Sequence, residues 1–352
     1  MSRYFTKSLA ALKPYTPGEQ PRDQQYIKLN TNESPFAPSP RVVAAITGQE
    51  VEKLRLYSDP ACRDLIAAIA ARNGIRPEQV TVGNGSDEVL AFALRAFCDG
   101  DTPLAYSDIT YGCYGVWCGL LGIPSRVIPL REDYTVDISR YRALGATIMI
   151  TNPNAPTGLA LQPEEVEEIL RANPGNVVIV DEAYVDFGAR SCLPLIEKYE
   201  NLLVVQTFSK SRNLAGARLG FAMGNPELIG DLNRIKFSFN PYNVNRLTSL
   251  AGIASMEDEK YFTDCTRKIQ ENRAWTAQKL REMDFTLTDS LTNFLFAQSS
   301  RIEGGQLCKA LKEKGILVRH FEGERTGNRL RITVGSRQEM EALIEALKQL
   351  GA

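Results

Sequence analysis

Three features of this chain predict an α/β fold with a mainly parallel sheet, followed by a smaller α+β unit. From about residue 60, short apolar strand-like runs alternate with amphipathic helical patterns, which is the signature of strands joined through helices. After about residue 250 the pattern changes, and one long helical stretch leads into a few strands and helices. The length, 352 residues with 43% hydrophobic content, supports a large core and two subdomains.

Each element has a local reason. The first forty residues are rich in proline and polar types and end KLNTNESPFAPSP, which reads as an extended arm. ACRDLIAAIAARNG has helical periodicity and stops at Gly74. VTV (80–82) is a short strand. GSDEVLAFALRAFCDG starts on a capping Ser86 or Asp87 and continues as a buried helix. Strand candidates follow at PLAYSD, SRVIPL, ATIMITNP, NVVIVDEAY, LLVVQTFSK and LGFAMG, with EEVEEILRAN as an amphipathic helix between two of them. EDEKYFTDCTRKIQENRAWTAQKLREM reads as one long helix with Phe262, Cys265 and Ile269 on one face. NFLFAQ (strand), GGQLCKALKEKG (helix), ILVRHF and LRITVG (strands) and QEMEALIEALKQLG (helix) complete the smaller unit. The expected division is an arm over 1–40, a large domain over 41–248 and a small domain over 249–352, with the arm packed near the small domain.

Bulk properties remove several function classes. The formal net charge is −1 and no Lys/Arg-rich block stands out, so nucleic acid is not an expected partner. No run approaches the length of a membrane span. The N-terminus lacks an apolar h-region with a small-residue cleavage site, so no signal peptide is expected. Seven scattered cysteines without CxxC pairs fit reduced thiols and a cytoplasmic location. Cys113 and Cys118 lack the second ligand pair of a zinc site. The single histidine, His320, cannot build a His-rich metal site, and no GxSxG elbow is present for a serine triad. Acid–base chemistry must then rest on Lys, Asp and Tyr.

In an open α/β sheet, ligands sit outside the carboxyl ends of the strands. After VTV comes GNGSDE, either a phosphate site at a helix start or a plain strand-to-helix turn. After ATIMI comes TNPNAPTG, a polar turn. After NVVIV comes Asp181, then Glu182, Ala183 and Tyr184. After LLVVQTF come Ser209 and Lys210, with Arg218 beyond. No metal cluster or Walker loop competes with this set. It offers an amine, a carboxylate, a phenol and an anion site, the inventory that pyridoxal phosphate needs.

The order GNGSDE, TNPNAPTG, DEAY, TFSKSRNLAGARLG resembles the fold-type I, class I/II aminotransferases over nearly the whole chain. With KLNTNESPFAPSP at the start and LRITVG near the end, it looks most like the histidinol-phosphate aminotransferase branch. Aromatic aminotransferases and threonine-phosphate decarboxylases share most of these motifs. The resemblance implies a seven-stranded, mainly parallel sheet in the large domain, pyridoxal phosphate as cofactor, and an amino donor and a keto acid as partners. It also implies a homodimer with shared active sites. Lys210 is then the lysine that binds the cofactor covalently and shuttles the proton. Asp181 pairs with the pyridine nitrogen and Tyr184 donates to O3′. Ser209, Arg218, Gly85, Ser86 and Asp87 hold the phosphate, and Tyr111 stacks on the ring. Tyr57 reaches the phosphate of the neighbouring subunit, although Ser58 replaces the proline usual there. Arg331 takes a substrate carboxylate or phosphate, Arg319 assists with the phosphate, and Asn32 lies on the arm over the substrate. The family has Asn directly before PTG; here that residue is Ala155. Asn154 is the expected substitute, reoriented by a turn or a cis bond before Pro156.

Overall fold

The computed structural model describes residues 2–352. The arm carries β1 (Ile27–Leu29), followed by helices α1 (Pro40–Ala45), α2 (Gly48–Glu52) and α3 (Arg63–Asn73). Next come β2 (Val80–Gly83), α4 (Ser86–Phe97), β3 (Leu104–Ser107), α5 (Cys113–Leu121), β4 (Ser125–Ile128) and β5 (Thr147–Thr151). Then follow α6 (Pro163–Ala172), β6 (Val178–Asp181), β7 (Leu202–Thr207) and β8 (Gly220–Gly224). Helices α7 (Pro226–Phe239), α8 (Arg246–Glu257) and α9 (Glu259–Arg281) precede β9 (Thr286–Leu287) and β10 (Phe294–Gln298). The chain closes with α10 (Gly304–Glu313), β11 (Ile316–His320), β12 (Leu330–Thr333) and α11 (Arg337–Leu350).

Among the described residues, the large sheet has seven strands in the order β2-β8-β7-β6-β5-β3-β4. β8 runs antiparallel to both neighbours, while β3 to β7 are parallel. The central strands β5 and β6 are buried at every position, as continuous apolar runs covered by helices on both faces must be. Burying each such Val or Ile contributes about 1.5–3 kcal/mol. α6 starts at Pro163, which is suited to a first helical turn, and α3 stops at Gly74 in a left-handed conformation (φ 67°).

The smaller sheet has the order β1-β11-β12-β10-β9. β1 joins it in parallel, Ile27 opposite Ile316, so the extended arm adds an edge strand. α8 packs its Ala251, Ala254 and Met256 into the core of the seven-stranded unit, so packing partners change at Asp258, the cap of α9. We therefore propose the domain division there, beyond the residue 248 that the sequence pattern marks. Arg212 fixes that junction: it donates to the Ser255 carbonyl (2.9 Å) and lies 3.7 Å from the Phe262 ring centroid. No helix among the described residues is long and apolar enough to cross a membrane.

Candidate active site

β5, β6 and β7 end at Thr151, Asp181 and Thr207, with Thr151 opposite Asp181 and Asp181 opposite Val205. Polar residues take over where the apolar runs stop, at one edge of the sheet. With the start of α4 and the loop after β7 they enclose a cavity of about 530 Å³, counting space open to solvent. Ser86, Asp87, Tyr111, Asp181, Tyr184, Ser209, Lys210 and Arg218 all line it.

One end of the cavity is suited to an anion. α4 is capped by Gly85 at φ 87° without any side-chain cap, so its first N–H groups remain for a ligand. This corrects the expectation that Ser86 or Asp87 caps the helix: both lie inside its first turn. Gly220, opposite Gly83 on β8, permits the close approach, because a Cβ there would lie 2.2 Å from the Ser86 nitrogen. Arg218 donates to Ser209 Oγ (3.4 Å) and Asp87 Oδ2 (3.1 Å). Asp87 Oδ1 accepts from the Tyr111 hydroxyl at 3.1 Å. A carboxylate repels an anion, so Asp87 can serve this end only through its backbone N–H.

At the other end, Asp181 is buried. Its Oδ2 accepts from the Tyr114 hydroxyl (2.7 Å) and its Oδ1 from the Ala183 N–H (3.2 Å). Burial pushes the carboxyl up to about 6, against the pull of these two donors. Tyr114 lies 2.7 Å from Thr151 Oγ1 as well, which fixes its ring. Sequence reasoning missed Tyr114. Its signal was the Tyr111–Tyr114 spacing across the start of α5, where the two rings pack edge-on at 5.6 Å.

Tyr184 accepts from Asn32 Nδ2 at 2.9 Å and packs edge-on against Phe294 at 5.1 Å. Asn32 Oδ1 accepts from the Thr333 hydroxyl (3.0 Å). The arm, the large sheet and the small sheet meet at this residue. Lys210 Nζ donates to the Thr31 carbonyl at 3.3 Å and lies 5.7 Å from the Tyr184 ring centroid. Tyr111 lies against Tyr15 of the arm, ring centroids 6.0 Å apart. Burial and the neighbouring Asp87 push the Tyr111 phenol well above its ordinary value. Tyr15 was not singled out from sequence, because nothing in an extended polar arm marks which aromatic turns inward.

Asn154 departs from expectation. The Ala155–Pro156 bond is cis, yet Ala155 lines the cavity. The Asn154 amide instead donates to the Ile109 carbonyl (2.9 Å) and Thr157 Oγ1 (3.0 Å). It secures the turn and has no donor left for a ligand. Asn154→Ala should therefore cost about 1–3 kcal/mol of stability with cofactor affinity unchanged. Urea unfolding and a cofactor titration measure the two effects separately.

Arg331 lies between the rings of Phe294 (5.5 Å) and Phe321 (5.4 Å), and its Nη2 donates to the Asn30 carbonyl at 2.9 Å. Its Nε is buried without a partner among the described residues, and burial lowers its pKa. Arg319 donates to the Thr16 (3.0 Å) and Pro17 (3.3 Å) carbonyls. Tyr57 lies away from this cavity, 81% exposed and stacked on Tyr242 at 4.4 Å. Among the described residues no cluster of three or more His, Cys, Asp or Glu could hold a metal.

The pattern of the family described as "Aminotransferase class I and II" matches residues 24–347. A histidinol-phosphate aminotransferase of Marinomonas sp. is 49% identical over 353 residues, covering 99% of this chain and 100% of that protein. One from Brachyspira hyodysenteriae is 47% identical over 351 residues, covering 99% of each. The crystal structure of histidinol-phosphate aminotransferase from Sinorhizobium meliloti in complex with pyridoxal-5'-phosphate superposes with a TM-score of 0.89 at 25% identity, covering 100% of this chain and 98% of that one. On these matches, and with that fold, the chain belongs to the class I and II aminotransferases.

Proposed function

We propose that this enzyme moves an amino group between histidinol phosphate and 2-oxoglutarate, giving imidazole-acetol phosphate and glutamate in histidine biosynthesis, with pyridoxal phosphate as cofactor. The observation that carries the reading is one cavity holding a lysine amine, a buried carboxylate and an uncapped helix start beside a guanidinium. The names of the relatives at 47–49% identity support the substrate.

The donor set fits the cofactor. Arg218, Ser209 and the free N–H groups of α4 suit a phosphate by charge-assisted hydrogen bonds. Asp181 suits a protonated ring nitrogen, whose charge would offset the cost of burying the carboxylate. Tyr184 accepts from Asn32, so its own proton is free to donate to an oxygen in the cavity. When bound, pyridoxal phosphate supplies a carbonyl that captures amines and a ring that draws off electron density. Lys210 Nζ would hold it covalently, would yield that place to the incoming amine, and as a free amine would be the base that removes the proton from the donor's α-carbon. The same nitrogen would then hand that proton to the cofactor's carbonyl carbon rather than back to the α-carbon, water would release the keto acid, and the second half-reaction would use the same residue in the opposite direction. Arg331 has an unspent Nε beside its fork, which suits the carboxylate of glutamate or the phosphate of histidinol phosphate. Arg319, held by the arm's carbonyls, is its partner for the phosphate.

We further propose a homodimer in which Tyr57 serves the neighbouring subunit. Exposed apolar side chains support this: Val43, Ile46, Val51, Leu54, Leu56 and Phe239 stand out of the same unit that carries Tyr57. A fully active monomer in sedimentation would sink it. Seven free cysteines support a reducing, cytoplasmic setting. For the substrate, the decisive assay compares histidinol phosphate, phenylalanine and phosphothreonine, each with 2-oxoglutarate. Glutamate should form fastest with the first. Faster turnover of phenylalanine, or carbon dioxide release from phosphothreonine, would overturn the assignment.

A further inference from the structure

We propose that Arg325 and Tyr134 form a clasp between the two units that fixes the position of Arg331. The inference rests on the reading that Arg331 takes the anionic part of the substrate. The antiparallel register sets Phe294 opposite Thr333 and Phe296 opposite Arg331, so these four side chains share one face of the small sheet. The large unit meets that face with two aromatic rings. Tyr184 packs edge-on to Phe294, and Tyr134 packs edge-on to Phe296 at 5.7 Å and 86°. Tyr184 belongs to the site already described. Tyr134 does not, and it is held in the left-handed region at φ 68°, which an aromatic residue adopts only against a steric cost.

The local turn sets that backbone, with Tyr134 N–H donating to the Arg131 carbonyl (3.0 Å) and Arg131 N–H to the Thr135 carbonyl (2.9 Å), and the 321–329 segment holds the Tyr134 side chain. Its hydroxyl donates to the Arg325 carbonyl (2.7 Å) and accepts from Arg329 Nε (3.1 Å). Arg325 reaches back across the gap to Asp108 Oδ2 (3.2 Å), the Leu130 carbonyl (3.2 Å) and the Arg131 carbonyl. Its guanidinium also lies 5.4 Å from the Tyr134 ring centroid. Asp108 is itself fixed, because its Oδ1 accepts from the Ile109 and Leu130 N–H groups, both at 2.9 Å. Asp108 opens the segment that leads to Tyr111, and the 321–329 segment runs directly into β12, which carries Arg331. The clasp therefore ties the segment that leads to Tyr111 in one unit to the strand that carries Arg331 in the other. Arg325 makes charge-assisted bonds to three acceptors at once, more than a lone exposed ion pair provides.

Arg325→Ala and Tyr134→Phe test this in the cofactor-loaded enzyme. Each should raise KM for histidinol phosphate and 2-oxoglutarate about tenfold, with kcat within about twofold and the visible spectrum of the bound cofactor unchanged. Arg325→Lys, which keeps the charge, should recover part of the KM. Hydrogen exchange gives a readout independent of turnover: peptides covering 321–334 should exchange faster in both variants, and those covering the Lys210 loop should not. Parent-like KM with parent-like exchange overturns the clasp. A fall in kcat with an altered spectrum and unchanged KM also overturns it, since that pattern reports general damage. If the parent turns over neither substrate, the functional reading fails while the exchange arm still decides the clasp.

Discussion

Lys210→Ala should lower turnover roughly ten-thousandfold, because one substitution removes both the covalent anchor and the base. No neighbour can replace it. Tyr184, its ring centroid 5.7 Å from Lys210 Nζ, has no amine with which to hold the cofactor, and Asp181 is buried and occupied by Tyr114. The variant should still fold and still bind pyridoxal phosphate, since Ser209, Arg218 and the start of α4 are untouched. Lys210 contributes one long bond, 3.3 Å to Thr31, to the resting structure. Borohydride treatment followed by peptide mass analysis reads the result directly. The parent should carry the cofactor on the peptide containing Lys210, and the variant should carry none. A borohydride-fixed cofactor on another lysine would remove the central assignment. Lys210→Arg is the companion: it keeps a cation at the position and should be as inactive as alanine, because a guanidinium is no nucleophile at neutral pH.

The strands that end at the cavity were legible because each is an apolar run interrupted by a polar residue, and the interruption is the functional position. Asp181 after VVIV and Lys210 after LLVVQTFS are of this kind, and both line the cavity. Contacts between distant segments were not legible. Tyr114 meets Asp181 across 67 positions, and Asp87 meets Arg218 across 131. No local pattern encodes either. The Asn154 expectation failed for a related reason. Position before PTG was read as the carrier of function, but a buried amide goes to whichever acceptors the turn presents, here Ile109 and Thr157. The capping expectation for Ser86 and Asp87 failed because composition favours Ser and Asp at a cap, whereas Gly85 alone suits φ 87° there. The arm was legible as extended. Its role as an edge strand beside β11 depends on a partner 289 positions away, Ile316 for Ile27.

Asp181→Asn should lower turnover roughly a thousandfold and, in the cofactor-free protein, raise stability at alkaline pH. The two effects have one cause. Burial raises the carboxyl from 3.8 to about 6 in the folded chain. Between these values the folded chain holds a proton that the unfolded chain has released, so stability falls as pH rises through the window and stays lower above it. A shift of this size corresponds to at most about 3 kcal/mol. Asparagine carries no charge and escapes that cost. It also fits the existing bonds: its oxygen can accept from the Ala183 N–H and its amide can donate to the Tyr114 oxygen, whose proton turns to Thr151. Adjacent Glu182, raised to about 7 by burial, adds a fall of the same sign in both proteins, so the variant must be compared with the parent at each pH. Urea unfolding of the two cofactor-free proteins should agree near pH 4 and separate by pH 8, the variant being the more stable. Equal stability at pH 8 would show that the buried carboxylate is not held at a cost. In the loaded enzyme the order should reverse, because a protonated ring nitrogen gives the carboxylate the partner that asparagine cannot use. A carboxylate kept in the core against its own solvation energy is then a residue retained for its ligand.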